Sequence, residues 1–156
     1  MVGTIETRLR ELGIELPRPT AAAGNYVPFV RVGGLLFVAG QVPVLNGEIR
    51  YTGQMGTGEV SLEHGYQAAR LCGLNLVAQA RVACDGDLDR VRRVVRLVGF
   101  VNATADFQDH PKVLNGASDL MAEVFGDLGR HARAAVGSSS LPFGVTVEIE
   151  GVFEID

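Results

Sequence analysis

The feature that most constrains this chain is a change of hydrophobic period near residue 61. Upstream, short apolar runs are broken by the turn pairs Gly33-Gly34 and Asn46-Gly47. From Ser61 onward, Leu62, Tyr66, Ala69, Gly73, Leu76, Val77 and Ala80 recur at three-four spacing, with Glu63, Gln67 and Arg70 on another face. A period near 3.6 with a polar opposite side predicts one long helix over residues 61–83, laid on an apolar surface. The turn pairs, which tolerate positive φ, predict hairpins before it: residues 27–32 with 35–39, and 41–44 with 48–50. Ser61 stands where an N-cap belongs, and Asp85-Gly86 ends the run.

Residues 91–101 (VRRVVRLVGFV) are rich in β-branched side chains and predict a strand. Asp109-His110-Pro111 opens a second helix, with proline at an early position where no amide is needed. Leu114, Ala117, Met121, Val124 and Phe125 form its stripe and Gly126 its stop. Residues 132–136 and 145–155 close the chain as strands. In the last, Val145, Val147, Ile149 and Phe153 alternate with Thr146, Glu148, Glu150 and Glu154. At the start, Ile5, Leu9 and Leu12 predict a short helix with Thr4 as N-cap and Gly13 as stop, followed by a PRPTAAAG linker. The expected organisation is an N-terminal helix and linker over 1–20 and one domain over 21–156. The class is α+β: a two-layer sandwich with a mixed sheet and two helices on one face. The other sheet face would lie bare in a monomer, so self-association is expected.

Composition narrows the function. A length of 156 residues suits one domain, and 47% hydrophobic against 21% charged residues excludes global disorder. A net charge of −4 disfavours a generic phosphate-backbone partner. Tryptophan is absent and aromatics reach only 6%, so no base-stacking platform is apparent. Nucleic acid is therefore an unexpected partner. Cys72 and Cys84 would lie about 18 Å apart on the long helix, too far for a disulfide. Two cysteines and three scattered histidines give no metal-ligand spacing. No apolar run reaches the ~18 residues needed for a bilayer span, and the opening residues do not resemble a secretory signal. A cytoplasmic, membrane-free protein is expected.

Dinucleotide, P-loop, zincin and serine-hydrolase motifs are missing. His64, His110 and His131 read as surface or capping residues, and the cysteines as small core residues. What stands out is Arg133 among Ala132, Ala134, Ala135 and Val136 on a strand, followed by Glu148 pointing out of another. An arginine partly removed from water needs an anion. One solution is internal, an ion pair with Glu148 or Glu150, or simply a solvated edge. The other is a fork that grips a ligand carboxylate through two parallel hydrogen bonds.

Several blocks resemble the RidA (YjgF/YER057c/UK114) family. They are Gly24-Asn25-Tyr26, Val38-Ala39-Gly40-Gln41-Val42-Pro43, Asn115, and the stretch running from Ala132-Arg133 through Leu141-Pro142 to Val147-Glu148-Ile149-Glu150. The resemblance spans roughly residues 20 to 155. It implies a chorismate-mutase-like fold and a homotrimer with ligand clefts between subunits. It further implies hydrolysis of reactive 2-imino and 2-enamino acids to 2-keto acids and ammonia, with no cofactor. Arg133 then matches the arginine that binds substrate carboxylate, and Glu148 the acid that positions water. Tyr26 and Asn115 match cleft-lining positions. Ala135 stands where the family often has cysteine, and Ala39 where serine or threonine is common. Two alternatives accompany this expectation: a non-catalytic trimeric binder of small carboxylates, and an endoribonuclease, which the acidic balance and the lack of a histidine pair disfavour.

Overall fold

The computed structural model describes residues 2–156. Helix α1 (Thr4–Glu11) precedes strands β1 (Phe29–Val32), β2 (Leu35–Gln41), β3 (Val44–Leu45) and β4 (Glu48–Ile49). Helix α2 (Leu62–Ala83), β5 (Val91–Asn102), α3 (His110–Phe125), β6 (Ala132–Ser138) and β7 (Val147–Ile155) follow. Five strands form one sheet in the order β1-β2-β7-β5-β6. All neighbours are antiparallel except β5 and β6, so the sheet is mixed. α2 and α3 cover one face, and the architecture is the α+β sandwich with a short N-terminal helix that the periodicities predict.

Local chemistry accounts for most boundaries. The Ser61 hydroxyl accepts the His64 amide at 3.1 Å and starts α2. Asp85 and Gly86 take positive φ and end it. Asn46 and Gly47 also take positive φ, as a tight turn between β3 and β4 requires. Those two strands form a separate ribbon of two residues each, shorter than expected, because Pro43 has no amide to extend the pairing. The interior is made by Leu36, Leu76, Val94, Leu97, Leu114, Leu120, Met121, Ile149 and Phe153, all fully enclosed between helices and sheet. α2 and α3 pack so closely that a Cβ at Gly116 would lie 2.0 Å from the Tyr66 carbonyl oxygen. Cys72 and Cys84 are both buried and free.

One cap differs from expectation. Thr4 is the first helical residue of α1 and Gly3 the N-cap. The Thr4 and Ile5 amides donate instead to the Asp89 carboxylate, at 2.8 and 2.9 Å. A carboxylate from elsewhere in the fold thus does the work of a local cap. Leu9, 3% exposed, joins the main core.

Candidate functional site

β6 is an edge strand, and its register fixes where Arg133 points. Arg133 aligns with Leu97 of β5, which in turn aligns with Gly151 of β7, on the side covered by the helices. There its Nη1 donates to Asn115 Oδ1 at 2.9 Å and to Ser118 Oγ at 3.1 Å. Asn115 and Ser118 are three apart on α3 and so share a face. Ser118 Oγ lies 2.9 Å from His131 Nε2, and His131 Nδ1 lies 2.6 Å from the Gly129 carbonyl oxygen. A carbonyl can only accept, so Nδ1 carries the proton; in the neutral ring, Nε2 then takes the Ser118 hydroxyl proton. Burial, aided by the nearby Arg133 cation, lowers the His131 pKa against the pull of that carbonyl, which favours the neutral ring. The chain of bonds therefore has one direction. It anchors a single nitrogen of the guanidinium and leaves Nε and Nη2 without protein partners among the described residues.

These groups line a cavity of about 280 Å³ with Asp119 and Arg130. The Tyr66 hydroxyl donates to Asp119 at 2.7 Å, and that bond is the main reason its pKa is pushed up to about 12. None of the ion pairs among the described residues involves Arg133.

Glu148 lies on the opposite side of the sheet. In β7 the residues Val147, Ile149, Phe153 and Ile155 point into the core, so Glu148 and Glu150 point away from it. Glu148 is half-buried and accepts no hydrogen bond from the described residues. Burial, and then the like charge of Glu150, raise its pKa above the ordinary carboxylate value. Gly40 makes room for it: a Cβ there would stand 3.1 Å from the Glu148 carboxyl group. Glu148 and Tyr26 line a second cavity of about 350 Å³. Tyr26 is 53% exposed, its hydroxyl accepting the Ala23 amide at 3.3 Å, so it is not a core ring.

The predicted residues thus fall into two pairs. Arg133 sits with Asn115, and Glu148 with Tyr26, on opposite sides of one sheet. That arrangement removes the internal Arg133–Glu148 or Arg133–Glu150 ion pair. Asn115 is the sixth residue of α3, beyond its first turn. Ala135 packs against the core from β6 and lines neither cavity. Ser118 and His131 were missed by sequence reasoning. Their signal was present in two spacings, i+3 from Asn115 on a helix and i−2 from Arg133 on a strand. No group of three or more His, Cys, Asp or Glu among the described residues could hold a metal ion. No helix among the described residues is long and apolar enough to cross a membrane.

Comparison with known proteins agrees with the fold. The family described as "YjgF/chorismate_mutase-like, putative endoribonuclease" matches residues 6–150. The chain belongs to the YjgF/RidA family. Protein TCP17 of Trypanosoma cruzi is 46% identical over 155 residues, covering 99% of this chain and 96% of that protein. The crystal structure of Atu1372 from Agrobacterium tumefaciens, titled as of unknown function, superposes with a TM-score of 0.90 at 49% identity, covering 97% of this chain and 92% of the other. A Shewanella oneidensis structure titled "putative endoribonuclease" gives a TM-score of 0.93 at 40% identity, covering 98% and 100%.

Proposed function

We propose that this YjgF/RidA protein hydrolyses reactive 2-imino and 2-enamino acids to 2-keto acids and ammonia, at sites completed by a second copy of the chain. The observation that carries the proposal is the Arg133 guanidinium. It is held by one nitrogen, faces a cavity, and makes no ion pair among the described residues. Its free Nε and Nη2 can take both oxygens of a substrate carboxylate and fix its plane.

An imine carbon is already electrophilic, so orientation and a positioned water suffice, with no metal or organic cofactor. Water adds to C2 of the protonated imine and gives a proton to the Glu148 carboxylate, forming a neutral carbinolamine. The same carboxyl returns that proton to the leaving nitrogen, and as the C2–N bond breaks the carbinolamine hydroxyl gives its proton to the regenerated Glu148 carboxylate, leaving ketone and ammonia. An enamine first takes a proton at C3 to become the protonated imine. A carboxyl with a raised pKa suits both halves of the cycle near neutrality. Holding the reactants together supplies much of the remaining acceleration.

Arg133 and Glu148 of one chain cannot meet across the sheet. A homotrimer with clefts between subunits, as in the family, would set Arg133 of one copy against Glu148 of the next. The open sheet face supports such association. It carries Val27, Val30 and Phe37, each well exposed, around a concavity of about 630 Å³.

The test supplies the intermediate with threonine dehydratase and follows keto-acid release. The wild type accelerates it and Arg133→Ala does not. No acceleration by the wild type eliminates the activity. Ligand binding without turnover, in wild type and Glu148→Gln alike, indicates a carboxylate binder instead. RNA cleavage that depends on Arg133 would indicate the endoribonuclease named for relatives.

A further inference from the structure

The cavity beside Glu148 has largely apolar walls. Residues 21–23, all alanine, Val42, Val44, Ile49 and Phe143 surround it, and Glu148 is the only charged side chain among the described residues that line it. The walls are tied down from behind by two buried amides one turn apart on α2. Gln79 Nε2 donates to the Thr20 carbonyl at 2.9 Å. Asn75 Nδ2 donates to the Val44 carbonyl at 2.8 Å and reaches that of Val42 at 3.3 Å. Tyr26 receives the Ala23 amide on the far side. A segment that composition marks only as an irregular linker is therefore a pinned wall of small residues.

Phe143 also lines the cavity. It is 67% exposed and takes the left-handed backbone region, φ 60°, between Pro142 and Gly144. A bulky side chain gains nothing locally from that conformation. Strain combined with an exposed aromatic ring lining a cavity points toward contact with a ligand.

We propose that this cavity is the side-chain subsite of the reaction, that it takes branched aliphatic and aromatic 2-imino acids, and that Phe143 sets this preference. The inference rests on the imine-hydrolysis reading for its placement. With C2 beside Glu148 and the carboxylate turned toward Arg133 of another copy, the substituent on C2 enters the apolar walls. Acidic side chains are disfavoured because Glu148 carries the same charge and no cation lines the walls among the described residues.

The test generates 2-imino acids in situ from leucine, phenylalanine, alanine and glutamate with an amino-acid oxidase, and reads ammonia release above the spontaneous rate. The leucine and phenylalanine products are expected to show kcat/KM about tenfold or more above the alanine product, with the glutamate product lowest. Phe143→Ala erodes that preference and Phe143→Leu keeps most of it. Ala22→Leu, filling the cavity from the opposite wall, costs the bulky substrates more than the alanine-derived one. Equal rates for all four products overturn the subsite while leaving imine hydrolysis in place. Calorimetry with 4-methyl-2-oxopentanoate and pyruvate separates the two readings. Tighter binding of the branched keto acid, lost in Phe143→Ala, supports the subsite even where no imine is turned over. A Phe143→Ala protein with altered sedimentation and unchanged preference places the ring in the contact between copies, and overturns the proposal.

Discussion

Arg133 and Glu148 stand on the two sides of one sheet and are held in different ways. The arginine is fixed by neutral partners, Asn115 and Ser118, with His131 behind them. The glutamate has no such partners, and apolar walls close around it. Hydrogen bonding by neutral groups leaves the guanidinium's charge intact and ready for an anion. Desolvation instead moves a proton equilibrium, raising the Glu148 pKa. In the proposed reaction, one side binds a charge and the other exchanges a proton.

The largest break in this contrast is Arg133→Ala. Loss of two charge-assisted hydrogen bonds is expected to lower kcat/KM by about 10² to 10⁴. Arg133→Lys restores only part, because an ammonium cannot form the fork. Steady-state kinetics on imines from a dehydratase checks both. Next comes Glu148→Gln, expected to lower kcat by about 10² or more while leaving 2-keto acid affinity nearly unchanged; calorimetry beside kinetics separates the two.

A pH profile sharpens the comparison. In the proposed reaction Glu148 accepts a proton as carboxylate, so activity is expected to fall as pH drops through its raised pKa, above the usual glutamate range. Glu150→Gln removes the second cause of the rise and moves that limb toward lower pH. Stability has a matching sign. The fold protonates Glu148 more readily than the unfolded chain does, so its cost to stability is absent at low pH and complete above the raised pKa. Glu148→Gln is therefore expected to raise Tm at pH 8 and to have little effect at pH 4.

Smaller effects are expected from the supports. Ser118→Ala or His131→Ala frees one side of the guanidinium and should raise KM about tenfold with a lesser change in kcat. Ser118→Thr, which keeps the hydroxyl, recovers most of the loss. Gly40→Ala presses on the Glu148 carboxyl at 3.1 Å without backbone strain. It should reduce kcat/KM a few-fold, about 1 kcal/mol, with Tm unchanged. A Gly40→Ala protein with full activity would show that the carboxyl has room to spare.

Much of the fold was readable along the chain. Ser61, Asp85-Gly86, Pro111 and Gly126 mark helix limits by their own local chemistry, and β7 announces its two sides by alternation. Arg133 was conspicuous because it breaks the apolar pattern around it, and Glu148 because the alternation of its strand points it away from apolar neighbours. The N-cap of α1 was not readable, since its acceptor is Asp89, 85 positions from Thr4. Gln79 and Asn75 are buried polar residues of α2 with nothing nearby in the sequence to show what they bond. Their partners, Thr20 and Val44, are 59 and 31 positions away.

Hydrophobic period, turn pairs and local caps act between residues a few positions apart, and so the sequence by itself determined the elements, their class and the two charged candidates. Which side of the sheet each candidate occupies depends on strand order and register, and these arise only when distant segments pair. The tertiary structure alone therefore decided that Arg133 meets Asn115 and Ser118 rather than Glu148. It also decided that a linker of alanines becomes the wall of a cavity.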